Sequence, residues 1–158
     1  MDSTGIMTRV LDLAEENVKN GGWPFSAIIE QNGDIIAEAV NSVHTSHDPS
    51  DHAEIAAIRK ASSLLRSPDL TGCTLYVVGW PCPMCLGCIL WSKIDKIIFA
   101  TNVAEKDRAL PSLPANGYLY ERVADEHGSK AVANEQMAAF SNRGVGIFSL
   151  WNRRQASS

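Results

Sequence analysis

The sequence predicts an α/β fold, a three-layer α/β/α domain, and three observations carry that prediction. Helical and strand periodicities alternate in the order αββαβαβ, followed by a mixed helical tail. The two apolar strands at Thr74–Val78 and Lys96–Ala100 are separated by a helix, a crossover that implies parallel pairing. A chain of 158 residues with 45% hydrophobic content fits one ordinary domain spanning residues 1–158, too short for two.

Each element has its own signal. Ile6, Val10, Leu13, Ala14 and Val18 recur near the helical period, so the first helix is expected from about Ile6 to Asn20, stopped by Gly21-Gly22. Phe25–Glu30 and Ile35–Val40 flank Asn32-Gly33, the strongest short hairpin signal, which favours a type I′ turn. A polar loop from Asn41 to Asp51 precedes a helix expected from His52 to about Leu65. The helix between the parallel strands begins in the segment Pro81-Cys82-Pro83-Met84-Cys85 and runs through Leu86–Trp91. From about residue 117 the tail reads as helical. Trp23, Phe25, Trp80, Trp91 and Trp151 each read as core aromatics, and Gly87-Cys88-Ile89-Leu90 as a buried packing face.

Chemistry concentrates in two short segments, His52-Ala53-Glu54 and Pro81-Cys82-Pro83-Met84-Cys85, about thirty residues apart. Catalytic zinc takes three protein ligands of nitrogen, sulfur or oxygen and keeps an open position for water. His52, Cys82 and Cys85 supply that number, and Glu54 is a nearby carboxylate able to move protons. H-x-E with P-C-x-x-C is the known signature of zinc nucleobase deaminases. Cys82 and Cys85, three apart, share a helix face at its N-terminus, where the macrodipole favours thiolate. Pro83 suits the first turn because its missing N–H would be unpaired there anyway.

Other readings of the same residues stay open. Asp51 and Glu54 could form a helix-capping pair. The cysteine pair could be a redox couple, or half of a structural zinc site completed by Cys88, Cys73, His44 or His47. Cys88 lies about 9 Å along the helix axis from Cys82, which makes joint ligation awkward.

Composition narrows the function classes. A net charge of −4 disfavours a nucleic-acid partner, because phosphate binding calls for a basic face. Three of the four cysteines fall within seven residues of one another, which suits metal binding in a reducing compartment better than a disulfide framework. Without a basic-then-apolar leader or an apolar run of about 18 residues, neither secretion nor membrane insertion is indicated, and a cytoplasmic location is expected.

Beyond these features the chain resembles the cytidine deaminase superfamily, and within it the bacterial guanine deaminase branch. The resemblance rests on Gly21-Gly22-Trp23-Pro24-Phe25, on Ile35-Ile36-Ala37-Glu38 leading to Asn41, on His47 through Glu54, and on Pro81 through Gly87. It covers the first helix to about Ala100 and weakens thereafter. It implies a cytidine-deaminase-like fold with a mixed five-stranded central sheet, and Zn2+ held by His52, Cys82 and Cys85. It also implies hydrolytic deamination of a small heterocyclic base with Glu54 as the proton shuttle. Asn41 and the Ala53 backbone would orient the base, and Phe25 would stack near it. Members are usually homodimers, and some exchange C-terminal segments.

Two departures from the branch pattern bear on substrate. Trp80 stands where relatives usually carry glutamate, and Asn116 falls where the branch places the aspartate that holds guanine's N–H groups. An amide donates as well as accepts, whereas an ionised carboxylate only accepts. Guanine is the leading substrate, with another purine, a pterin, a triazine or a pyrimidine as alternatives. A transfer-RNA adenosine deaminase and a non-enzymatic zinc-stabilised binding module are the competing functions.

Overall fold

The computed structural model describes residues 1–110 and 132–156. Helix α1 (Ser3–Lys19) starts three residues before the first periodic apolar position, because Asp2 caps it by accepting the Gly5 N–H at 2.8 Å. It ends at Asn20, followed by Gly21 at φ 90°. Strands β1 (Ser26–Gln31) and β2 (Asp34–Val40) form the expected hairpin. Its two loop residues, Asn32 and Gly33, take φ 54° and 88°, the positive values a type I′ turn demands.

The loop after β2 contains a short helix α2 (Val43–Ser46), and α3 (Ala53–Leu65) follows with His52 as its N-cap. Strand β3 (Cys73–Gly79), helix α4 (Pro83–Trp91) and strand β4 (Lys96–Thr101) complete the crossover, and β3 and β4 pair in parallel as expected. Helix α5 (Val103–Ala109) begins with a reciprocal cap. The Asn102 side chain accepts the Glu105 N–H, and the Glu105 carboxylate accepts the Asn102 N–H. The tail departs from the helical expectation. Residues Ala133–Gln136 form strand β5, parallel to β4, before a short 3₁₀ turn (Ala138–Phe140) and helix α6 (Ser141–Gln155). A four-residue strand of sequence Ala-Asn-Glu-Gln has neither apolar alternation nor β-branched residues to announce it.

The five strands lie in the order β2-β1-β3-β4-β5, antiparallel on the β2 side and parallel on the β5 side. Period-2 alternation divides the core between the sheet's two faces. Ala27, Ile29, Leu75, Val77, Ile97 and Phe99 pack with α3 and α4. Ile28, Tyr76, Val78, Ile98 and Ala100 pack with α1 and α6. Helix α6 lies close on β4, since a Cβ at Gly144 would sit 2.6 Å from Thr101 Cγ2.

Trp23, Phe25, Trp80 and Trp151 are at least half buried, but Trp91 is 90% exposed, contrary to its reading as core. Of the segment expected to form a packing face, only Ile89 is fully buried, while Gly87 and Leu90 face outward. With no polar position in α4 to mark the solvent side, the sequence could not orient that helix. Among the described residues no helix is long and apolar enough to cross a membrane.

Candidate metal centre and active site

Two adjacent helices start at the same end of the sheet. Cys82 is the N-cap of α4 in extended conformation (φ −71°, ψ 164°), with Pro83 in the first turn, and His52 caps α3 in nearly the same conformation (φ −71°, ψ 151°). The His52 side chain makes no capping bond to α3, and the Cys82 sulfur turns toward Cys85 and His52, so both side chains point into the space between the helix ends. His52 Nδ1 lies 3.7 Å from Cys82 Sγ and 3.6 Å from Cys85 Sγ. The three donor atoms lie within 4.8 Å of one another.

One nitrogen and two sulfurs at that spacing can bind a single metal ion, and zinc favours this donor set. Cys73, Cys88, His44 and His47 are outside the group. Cys88 is half buried one turn further along α4, beside a pocket it lines with Ile58, Ser62 and Ser92, and burial pushes its thiol up.

The electrostatics fit a thiolate site. A hydrogen bond from Cys85, with a further contribution from His52, pulls the Cys82 thiol down to about 4. Cys85 moves far in the opposite direction, chiefly through that same bond to Cys82 and then through burial. His52 is raised, foremost by its bond to Cys82, with burial acting against it.

Glu54 is 8% exposed in the first turn of α3. Burial and then the charge of Cys82 raise its pKa, while His52 works the other way. The capping pair with Asp51 is absent. Asp51 Oδ1 instead accepts from Arg59 at 3.2 Å, and its N–H donates to the Asp48 carbonyl at 3.0 Å.

The other sequence-predicted residues divide into two groups. Asn41 is buried, its Oδ1 accepts the Val43 N–H at 3.2 Å, and its N–H donates to the Phe25 carbonyl at 3.0 Å, so these two residues are joined through their backbones. Phe25 is half buried, with its ring centroid 5.6 Å from that of Phe148. Ala53 opens α3, where the first amides have no intrahelical acceptor. Asn116 lies outside the described residues. Trp80 is buried and meets Phe99 edge-on at 5.1 Å, so its ring belongs to the core.

Sequence reasoning missed Lys106, a buried lysine whose Nζ donates to the Trp80 carbonyl at 3.1 Å. Within Glu105-Lys106-Asp107-Arg108 it reads as one charge of a solvated face. The Asn102-x-x-Glu105 capping box was the signal that could have fixed the start of α5, and with it the helix's inward side.

Comparisons with known proteins agree with this geometry. The sequence pattern of the cytidine and deoxycytidylate deaminase zinc-binding region matches residues 2–101. A guanine deaminase of Bacillus subtilis (strain 168) is 45% identical over 124 residues, 78% of each chain. The solved structure of guanine deaminase from Bacillus subtilis superposes with a TM-score of 0.72 at 34% identity, covering 97% of this chain and 95% of that one. A tRNA-specific adenosine deaminase of Aquifex aeolicus (strain VF5) is 42% identical over 87 residues, 55% of this chain and 58% of that protein. The matched segment contains the N-termini of both α3 and α4 and four of the five strands, and the chain accordingly belongs to the cytidine and deoxycytidylate deaminase family as a zinc-dependent hydrolytic deaminase.

Proposed function

We propose that this enzyme deaminates guanine, with His52, Cys82 and Cys85 as the zinc ligands and Glu54 as the catalytic proton shuttle. The observation that carries the reading is the meeting of one imidazole and two thiols beside a buried carboxyl, in a chain 45% identical to a guanine deaminase. When bound, zinc supplies the Lewis acidity that makes a water molecule nucleophilic near neutral pH.

The protein's own groups do the rest. Glu54, desolvated and so a stronger base than an exposed carboxylate, takes a proton from the attacking water and gives one to the ring nitrogen. It then takes the remaining hydroxyl proton of the addition product and passes it to the amine, which leaves as ammonia while the carbonyl forms. Asn41, anchored beside Phe25, and the first-turn amide of Ala53 orient the base, and Phe25 offers a ring to stack on. By the resemblance to the guanine deaminase branch, Asn116 is assigned the base edge that aspartate reads there.

The decisive test is ammonia release by the zinc-loaded protein from guanine, other purines, pyrimidines, pterins, triazines and transfer RNA. Guanine turning over fastest supports the reading, and release from transfer RNA alone replaces it with the adenosine deaminase reading. Asn116→Asp should raise the guanine specificity constant about tenfold, if about 1.4 kcal/mol of charge-assisted contact is restored.

We further propose a cytoplasmic homodimer joined through the outer face of α4. That helix has no charged side chain, yet Met84 is 42%, Leu90 37% and Trp91 90% exposed. A helix apolar all round is normally a buried one. Four cysteines outside any disulfide, two of them drawn into the metal group, suit a reducing compartment.

A further inference from the structure

Lys106 is only 4% exposed, and an ammonium taken out of water is costly unless its hydrogen bonds and charge are answered. Its stem passes beside Gly79, where an added Cβ would lie 3.3 Å from Lys106 Cδ and 3.0 Å from Thr101 Oγ1. Glycine at that position therefore leaves the lysine room to reach inward. Nζ ends 3.1 Å from the Trp80 carbonyl oxygen. The Trp80 N–H donates to the Thr101 carbonyl at 2.9 Å and the indole lies against Phe99, so backbone and ring of this residue are both held.

The lysine is itself fixed by its helix. Glu105, beside it, accepts from Gln136 Nε2 at 2.8 Å and from Ser141 Oγ at 2.5 Å, tying α5 to β5 and to the start of α6. Asn152 Nδ2 donates to the Ala109 carbonyl at 2.6 Å and closes the far end. The next two residues after Trp80 are Pro81 and Cys82, the arm that delivers a thiolate to His52.

We propose that Lys106 is a positioning residue for the metal centre, pinning the Trp80 carbonyl so that the Pro81–Cys82 arm stays in the extended approach that sets its sulfur against His52. This rests on the reading of His52, Cys82 and Cys85 as the zinc ligands. The charge environment agrees. Burial pushes the Lys106 ammonium down from its ordinary value, while Asp107, Glu54, Cys82 and Cys85 act to keep it protonated. Residues that orient metal ligands from outside the ligand set commonly change metal affinity when replaced.

The test is the rate at which zinc passes from the purified, zinc-loaded protein to a chelating dye, read by absorbance, with folding followed by circular dichroism. Lys106→Met keeps the stem and removes the donor, and should release zinc about 10- to 100-fold faster while remaining folded. Lys106→Gln, whose amide ends one bond short of the carbonyl, should behave alike and serves if the Met variant does not fold. Lys106→Arg, which can still donate, should restore slow release.

Thr101→Val removes the Thr101 Oγ1 donation to the Val78 carbonyl at the same end of β3 and β4 without removing the donor to the Trp80 carbonyl, and should keep the native rate. A folded Met or Gln variant that holds zinc as the native protein does overturns the proposal. So does a Thr101→Val protein that releases zinc as fast as the Met variant, because Lys106 would then act through general stability. The unmodified protein separates this proposal from the reading beneath it. If it binds no zinc, the ligand assignment fails. If it binds one zinc per chain, only the variants judge Lys106.

Discussion

The two faces of the sheet are built on opposite plans. On one, α1 turns Ile6, Met7, Val10, Leu11, Ala14 and Val18 inward against strands and α6, and keeps its charges outside, where Arg9 pairs with Glu38 and Asp12 with Arg143. On the other, polar groups gather inside, His52, Glu54, Cys82, Cys85 and Lys106 near the helix starts, while the outside of α4 presents Met84, Leu90 and Trp91. The first arrangement is what hydrophobic burial alone would select. The second costs stability within the chain, and a bound metal ion offsets part of that cost. Both faces carry core, and only one of them also carries the site.

The sharpest break between the faces comes at Glu54. Glu54→Ala should lower turnover by about 10² to 10⁴ with zinc content and melting temperature preserved, because general acid–base groups contribute about that much. Ammonia release and metal analysis on the same sample check it, and activity near native would reduce Glu54 to a helix residue. The mirror change is Phe148→Ala on the opposite face, which empties a fully buried site. It should cost about 3–5 kcal/mol in urea unfolding, with one zinc still bound per folded chain. If zinc is lost as well, the two faces are not separable.

A smaller effect is expected where the active face meets solvent. Trp91→Asp should convert a dimer into monomers in analytical ultracentrifugation while changing the monomer's stability by about 0.5 kcal/mol or less, as surface changes usually do. Native protein that sediments as a monomer would remove the explanation for the exposed apolar face of α4. Least of all should follow from Cys88→Ala, on the same helix but outside the metal group. Zinc stoichiometry should stay at one, with a stability change of about 1 kcal/mol or less. Loss of zinc in that variant would mean a closed four-ligand site and a structural metal.

What could be read from the sequence follows this same division. The hairpin, the crossover and the helix of the α1 face were legible because Asn32-Gly33 fixes backbone geometry locally and the apolar periods of α1 are one-sided. The meeting of His52, Cys82 and Cys85 was legible because metal chemistry restricts residue type and spacing together. Three features were not. Strand β5 has no pattern of its own and owes its conformation to pairing with β4. The outward side of α4 could not be told from the inward one, since both are apolar. Lys106 is defined by where its side chain ends, which depends on the glycine at position 79 and on the docking of α5, both contacts across the fold.

The composition of α4 has a further consequence, for biosynthesis. During translation the nine-residue run Pro83–Trp91 emerges before β4, α5 and α6 exist, and it has no charge to discourage association between nascent chains. Lys93, Asp95 and Lys96 follow within five residues of its end, close enough to act as gatekeepers against strand-like stacking. Yield of soluble protein should therefore depend on those three surface charges more than on any others of the described surface, and neutralising them should send expressed chain into inclusion bodies even though none of them touches the metal group.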